Sequence, residues 1–302
     1  YIGNRLLDLL IDTDHDVVSM VRRPDQFKAA YHKEHTVCYG DTTDYDSLVK
    51  ALKDIDTAFY FVHSLAEGDD FIKSEKQSAL NFVKAAEHNN VKRIVYLGGL
   101  FDDSTPLSLH LQSRKEVGDI IRQSRIHSIT FRASIIIGSG SLSYELIRNL
   151  TERLPIMITP KWVRELAQPI GIKDVLRYLE DSITLPIDDH MIFEIGGSDV
   201  VSYSDIMQEY AKQRGLYRII FPVPVLSPKI SSLWLSLFTP LYAKIGKKLI
   251  QSIKSNTIVK HPEKTLDYFP FQTLTISDSI KFSLEQEESN FFKSHWASSY
   301  SS

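Results

Sequence analysis

Short apolar runs alternate with amphipathic stretches through the first half of this chain, and that alternation narrows the fold more than any other feature. Val17, Val18, Met20 and Val21 form the first run, and residues 35–40, 57–62, 91–98 and 127–137 form the next four. Between them lie segments with apolar residues at helical spacing. Leu6, Leu7, Leu9, Leu10 and Ile11 mark one such segment, Leu48, Val49 and Leu52 another, and Ala79, Phe82, Val83 and Ala86 a third; residues 109–123 make a fourth. Apolar strands recurring at intervals of roughly 20 to 30 residues, each followed by a helix, require a parallel sheet with right-handed crossovers and helices on both faces. The expected class is α/β, a doubly wound parallel sheet of Rossmann type, with a smaller C-terminal lobe.

Residues 1–23 carry the sharpest local reading. A helix entered at Gly3 breaks at Asp12-Thr13-Asp14 and leads into a strand tipped by Arg22 and Arg23. A glycine-opened helix followed by a strand with a charged tip reads as the second half of a dinucleotide-binding βαβ unit, with the pyrophosphate at the helix N-terminus. Gly3 is then the last glycine of the phosphate turn. The strand and glycines ahead of it would precede Tyr1, so the sequence is expected to be a fragment clipped at its start. At the end of the second strand an acid meets the ribose 2′-OH of NAD, whereas arginines accommodate the 2′-phosphate of NADP. With Arg22 and Arg23 there and no acid before Asp25, NADP is predicted over NAD. The alternative is a solvated basic turn beside Asp25.

Beyond Gly138 the pattern loosens. Helices are expected over residues 144–154, 174–182, 205–213 (capped by Ser204) and 276–286, with a strand at 191–195. The chain is divided into a Rossmann core over 1–140 lacking its first strand, a lobe over 141–286 that returns to the core and builds the substrate side, and a polar, Ser-rich linker over 287–302. Residues 226–253 combine Leu233, Trp234, Leu237 and Phe238 with Lys244, Lys247 and Lys248. They read either as a lid or packing surface for a further domain, or as a peripheral membrane contact, and Pro240 divides them. The formal charge of −3 gives no case for nucleic acid. Cys38 is the single cysteine, which excludes a disulfide framework and a thiolate metal site. A cytoplasmic protein, membrane-associated if 226–253 touches lipid, is expected, with a small molecule as substrate or none.

The strings VKRIVYLGGL, LQSRKEVGDIIRQS, ITFRASIIIGSGS, QPIGIKDVLRYL and FEIGG, in that order, resemble the atypical short-chain dehydrogenase/reductase group. More narrowly, they resemble its NmrA-like NAD(P)-binding members of the bacterial YbjT type. The resemblance spans residues 1–286 and implies a START-like domain downstream. It implies that Asp41 meets the adenine amino group, that Val62, His63 and Ser64 pass beneath the ribose and nicotinamide, and that Ser134 binds beside the nicotinamide amide through its main chain. The family's catalytic tyrosine and lysine stand one helical turn apart, so both face the same way. Here His110 and Arg114 hold those places, and the preceding strand ends Leu97-Gly98-Gly99-Leu100 without the usual serine. His110 can carry a proton near neutral pH; Arg114 can hold a ribose hydroxyl or a pyrophosphate but cannot release a proton. Two readings follow. One is an NADPH-dependent reductase of a hydrophobic carbonyl or quinone-like compound, and the other is a non-catalytic NADPH sensor or accessory subunit. No metal is expected. Tyr144, Trp162 and Gln168 fall in substrate-lobe segments, as pocket lining or as core.

Overall fold

The computed structural model describes residues 1–31, 33–63, 70–102, 104, 106–159, 161–222 and 256–299. The stretch 226–253 and Ser64 lie outside the described residues. The chain divides into two units. The first contains Tyr1–Gly99, Leu109–Arg132 and Leu176–Phe193, and the second contains Leu100–Ser108, Ala133–Val175 and Glu194–Ser302.

In the first unit the order is α1 (Ile2–Leu10), β1 (Val18–Val21), α2 (Pro24–Ala30), β2 (Thr36–Tyr39), α3 (Tyr45–Ala51), β3 (Thr57–Tyr60), α4 (Asp70–His88), β4 (Arg93–Gly99), α5 (Leu109–Arg122) and β5 (His127–Ala133). The parallel pairs arrive as two sheets: β1 beside β2, and a four-stranded sheet in the order β10-β5-β4-β3, where β10 is Met191–Ile195. Matched to the doubly wound order, β2 and β1 give its first two places and β3, β4 and β5 its last three, with β10 a further strand beyond β5. Ile94, Val95, Tyr96 and Leu97 of β4 are all buried, as expected of a strand covered on both faces. One face packs Tyr60, Ile94 and Tyr96 against Phe82 and Val83 of α4 and Val117 and Ile121 of α5. Elsewhere in the unit Phe131 meets the rings of Tyr178 and Phe193 at 5.7 and 6.0 Å.

Local signals act as read at α3, where the Asp44 side chain accepts from the backbone N–H groups of Asp46 and Ser47. The cap of α8 (Tyr203–Gln213) is a correction. Ser202, not Ser204, accepts from the Asp205 N–H, and Asp205 reaches back to close a capping box. Ser204 instead shares a hydrogen bond with the Ser202 hydroxyl.

Arg93 is the unit's polar fastener. Its Nη1 donates to the carbonyls of Ser182 and Ile183, and its Nη2 to that of Leu185 at 2.6 Å. These are carbonyls at the C-terminal end of α7 (Ile172–Asp181) and in the turn beyond, where helix carbonyls lack partners.

The second unit holds β6 (Ile136–Ile137), α6 (Leu142–Arg153), β7 (Ile156–Thr159), β8 (Leu166–Ala167), β9 (Ile170–Gly171), β11 (Val201–Ser202), α8, β12 (Ile219–Pro222), α9 (Pro262–Tyr268) and α10 (Ile276–Ser299). Strands pair β6 with β9, β7 with β12 and β8 with β11. Tyr144 and Trp162 are core: the first meets Tyr210 edge-on, the second Tyr203. Gln168 is a knot, its amide donating to the Gly197 carbonyl and accepting from the Val259 N–H. Gly197 must be glycine, since a Cβ there would stand 2.4 Å from the Pro169 carbonyl oxygen. The last helix does not end at 286 as expected. It continues through the polar tail to Ser299.

Glu287 shows why the tail begins as helix. It sits 3.4 Å from Arg148 Nε, while Arg148 Nη1 is 2.8 Å from Glu145. Because Arg148 spends its shorter contact on Glu145, burial outweighs it and raises the Glu287 carboxyl.

Two outcomes follow from these contacts. Arg93→Ala leaves three carbonyls without their charged donor. It should lower unfolding free energy by about 2–4 kcal/mol, read as an earlier urea midpoint at unchanged slope. Glu287 has a folded pKa above its unfolded one, so its contribution is complete below the ordinary carboxyl value and is lost as pH rises through the raised value. Glu287→Gln should therefore flatten the fall in stability on that rising limb; an unchanged pH profile counts against this account.

Candidate nucleotide site and its substrate end

The site begins where β1 ends. Arg22 and Arg23 follow its last residue, and with Val21, Gln26 and Phe27 they line an open cleft of about 670 Å³. Arg23 Nη1 donates to Gln26 Oε1 at 3.3 Å. Arg22 is exposed, and no hydrogen bond or ion pair among the described residues engages its guanidinium. Its charge reaches Asp41. That carboxylate accepts from the Thr43 N–H at 2.9 Å and the Thr43 hydroxyl at 2.8 Å. These two bonds hold its pKa below the usual range, and Arg22 adds to the effect against a partial burial. Asp41 is thus built into the turn that starts α3.

Helix α1 begins at Ile2, with Tyr1 at the N-cap and no side chain capping it. Gly3 lies in this first turn. No protein atom demands glycine there, for an added Cβ would meet Phe61 Cδ2 at an ordinary 3.7 Å.

The other end of the site lies after β3 and on α5. Val62 is 39% exposed, and His63 follows. One turn apart on α5 stand His110 and Arg114. The structure brings His63 and Arg114 together directly: Arg114 Nη1 is 2.7 Å from His63 Nε2. An arginine has only donors, so Nε2 is the acceptor and the proton of the neutral ring sits on Nδ1. Among the described residues that buried Nδ1 has no hydrogen-bond partner, nor has Arg114 Nε. Burial first, then Arg114, then His110, push the His63 pKa well below its ordinary value. The Leu97 carbonyl pulls the other way without reaching hydrogen-bond geometry.

Tyr96 closes this end from below. It is buried, its hydroxyl donates to the Arg114 carbonyl at 3.0 Å, and its ring lies 6.0 Å from that of His63. Burial raises its phenol. It is a bonded interior phenol and has no free hydroxyl to offer as a proton donor. Ser134 belongs to the second unit, where its hydroxyl bonds Thr257 Oγ1 at 2.6 Å.

Sequence reading missed Glu75 and Ser113. Ser113, next to Arg114, donates to Glu75 Oε2 in a very short hydrogen bond, and both residues are buried. A signal was present. Glu75 stands four residues before Ala79 and seven before Phe82, which places a charge on the apolar face of α4.

Residues 1–142 match the family model described as NAD(P)H-binding. No curated protein sequence matches the chain. Among solved structures, the triphenylmethane reductase of Citrobacter sp. aligns with TM-score 0.75 at 15% identity, covering 94% of this chain and 96% of that one. The NADPH-dependent quinone oxidoreductase QOR2 of Escherichia coli, complexed with NADPH, aligns with TM-score 0.70 at 18% identity, over 93% and 95%. MoeE5 in complex with UDP-glucuronic acid and NAD aligns with TM-score 0.71 at 16% identity, over 96% of each chain. At these identities the likeness is one of fold. No helix among the described residues is long and apolar enough to cross a membrane, and no group of His, Cys, Asp and Glu among them is arranged to hold a metal ion.

His63 should stay neutral, protonated on Nδ1, as the pH falls through the ordinary histidine midpoint. Nitrogen-detected NMR of the imidazoles checks this; a His63 midpoint near the ordinary 6.5 contradicts the burial argument.

Proposed function

We propose that this protein binds NADPH and reduces a hydrophobic carbonyl or quinone-like compound. The observation that carries the cofactor choice is the exposed Arg22 guanidinium, unengaged by any described residue, in the cleft at the carboxyl end of β1. In this fold class that place meets the adenosine ribose. Arg23, Gln26 and Phe27 flank it, and a planar guanidinium suits a phosphate monoester better than a hydroxyl.

When bound, the nicotinamide supplies hydride to the substrate carbonyl carbon. The oxygen left behind takes a proton from His110 or from water. His63, held neutral by burial and by Arg114, fixes the Arg114 guanidinium through Nε2 without serving as the proton donor. Arg114 keeps a positive charge close to the developing alkoxide. Two structural neighbours named as a dye reductase and a quinone oxidoreductase support a reductase reading.

A second reading, a non-catalytic NADPH-binding sensor or accessory subunit, is favoured by a specific feature. The phenol near the site, that of Tyr96, is buried and bonded to a main-chain carbonyl, so it does not stand free as the usual proton donor. Stretch 226–253 would, on either reading, cover the substrate side or meet a partner domain or lipid.

NADPH binding measured by fluorescence, followed by its oxidation with a panel of quinones and aldehydes, separates the two. Turnover lost in His110→Ala supports the enzyme, whereas tight binding with no turnover supports the sensor. Replacing Arg22 and Arg23 together by alanine should weaken NADPH by roughly 10- to 100-fold while changing NADH little. Equal loss for both nucleotides removes the NADP assignment.

A further inference from the structure

Two asparagine amides pin the α3 segment to α4. Asn81, within α4, donates from Nδ2 to the Thr42 carbonyl at 3.1 Å, just ahead of α3. Asn89, one residue past the end of α4, donates from Nδ2 to the Val49 carbonyl at 3.0 Å, in the last turn of α3. The Asn81 amide is oriented from both sides. The Thr42 carbonyl can only accept, so the NH2 group faces it, and Asn81 Oδ1 accepts from Gln77 Nε2 at 2.8 Å, one helical turn back. Thr42 is buried, where a main-chain carbonyl without a donor is unfavourable. Among the described residues, the other hydrogen bonds of 41–44 stay within 41–48: the Asp41 N–H donates to Ser47 Oγ at 2.9 Å, Ser47 Oγ donates to the Asp44 carbonyl at 2.8 Å, and Asp44 caps α3. Asn81 is thus the tie that reaches this turn from another element.

The turn carries Asp41. Gly40, the residue before it, donates from its N–H to the Val21 carbonyl at 3.1 Å, so Asp41 stands at the carboxyl end of β2 beside the tip of β1. Its two carboxylate oxygens are used unequally. Oδ1 accepts from both the N–H and the hydroxyl of Thr43, whereas Oδ2 takes no hydrogen bond from the described residues. A carboxylate can only accept, and the carboxyl edge of neighbouring parallel strands is where a dinucleotide's adenosine lies in this fold class. The donor that an adenine base offers there is its exocyclic amino group. We propose that Asn81 is a positioning residue for base recognition: by gripping the Thr42 carbonyl it sets the 41–43 turn so that Asp41 Oδ2 stands open to the adenine amino group. Without that grip the Thr42 peptide is free to rotate, Thr43 no longer holds Oδ1 in one place, and the carboxylate loses its aim.

This rests on the reading that the protein binds NADPH, and the test separates the two. Binding is titrated by fluorescence with NADPH and with its hypoxanthine analogue, which carries an oxygen where adenine carries the amino group. The unaltered protein should prefer NADPH by about 10-fold or more, since the analogue sets an acceptor against the carboxylate. Asn81→Ala should weaken NADPH by about 5- to 10-fold and the analogue little, bringing the two within about 3-fold of each other. The preference for NADPH over NADH, assigned to Arg22, should survive the substitution. Amide exchange in protein without nucleotide gives a second readout: the Thr43 N–H should exchange about 10-fold faster in Asn81→Ala. An equal loss for NADPH and the analogue marks a merely structural role and overturns the proposal, as does an unchanged preference in folded Asn81→Ala or no preference in the unaltered protein. Should Asn81→Ala not fold, Asn81→Asp decides: it keeps the size, its carboxylate cannot donate to the Thr42 carbonyl, and an unchanged preference overturns the proposal. Failure of the unaltered protein to bind either nucleotide sinks the functional reading and base recognition with it. Thr43 exchange then still judges the grip of Asn81 on the turn, and an unchanged rate counts against that grip.

Discussion

The seam between α4 and α5 is the constraint on which the site depends. Both helices must cover one face of a parallel sheet, because strands such as β4 bury both of their faces. Their facing surfaces are therefore apolar almost throughout, with Phe82, Val83, Val117 and Ile121 against Tyr60 and Tyr96. A cation placed in such a seam can survive only with its hydrogen bonds and its countercharge supplied locally. Arg114 has His63 as its acceptor, and the Tyr96 phenol and then the Glu75 carboxylate favour its charge against burial. The same low-dielectric setting that makes the arrangement costly to disturb makes its polarity strong.

The two ends of the nucleotide domain use arginine in opposite ways. At the tip of β1, Arg22 is exposed and its guanidinium is left open to an incoming anion. At the other end Arg114 is turned inward and its nearest partner is a ring nitrogen. The first is suited to binding, since a solvated guanidinium gives up little on meeting a phosphate. The second is suited to holding a neighbour in one protonation state. Asp41 joins them to the architecture in a third manner, since its carboxylate is tied to Thr43 and shapes the start of α3.

Much of this was legible in the residues. The strands at β1 to β5 and the helices between them follow from apolar periodicity; β1 to β4 lie within a residue or two of where it puts them, and the run at 127–137 is divided into β5 and β6. Arg22 and Arg23 were legible because a strand tip is a local feature. What periodicity could not supply was the partner of each side chain. Ser204 is as good a cap residue as Ser202. Only the extended turn out of β11 makes Ser202 the one whose oxygen reaches the Asp205 N–H. The polar tail beyond Glu287 lacks a core pattern, yet α10 continues because Glu287 still finds Arg148 across the helix packing. Tyr144 and Trp162 could have lined a pocket or filled a core; their rings pack on Tyr210 and Tyr203.

By itself the sequence determined the α/β class, the order of the elements and the cationic tip of the second expected strand, because each depends on neighbours a few residues away. The tertiary structure alone decided that His63 meets Arg114 and that Ser113 meets Glu75. They come from a strand end and two helices, separated by up to 51 positions in the chain. Their meeting is set by how α4 and α5 lie against the sheet, and no local spacing encodes that.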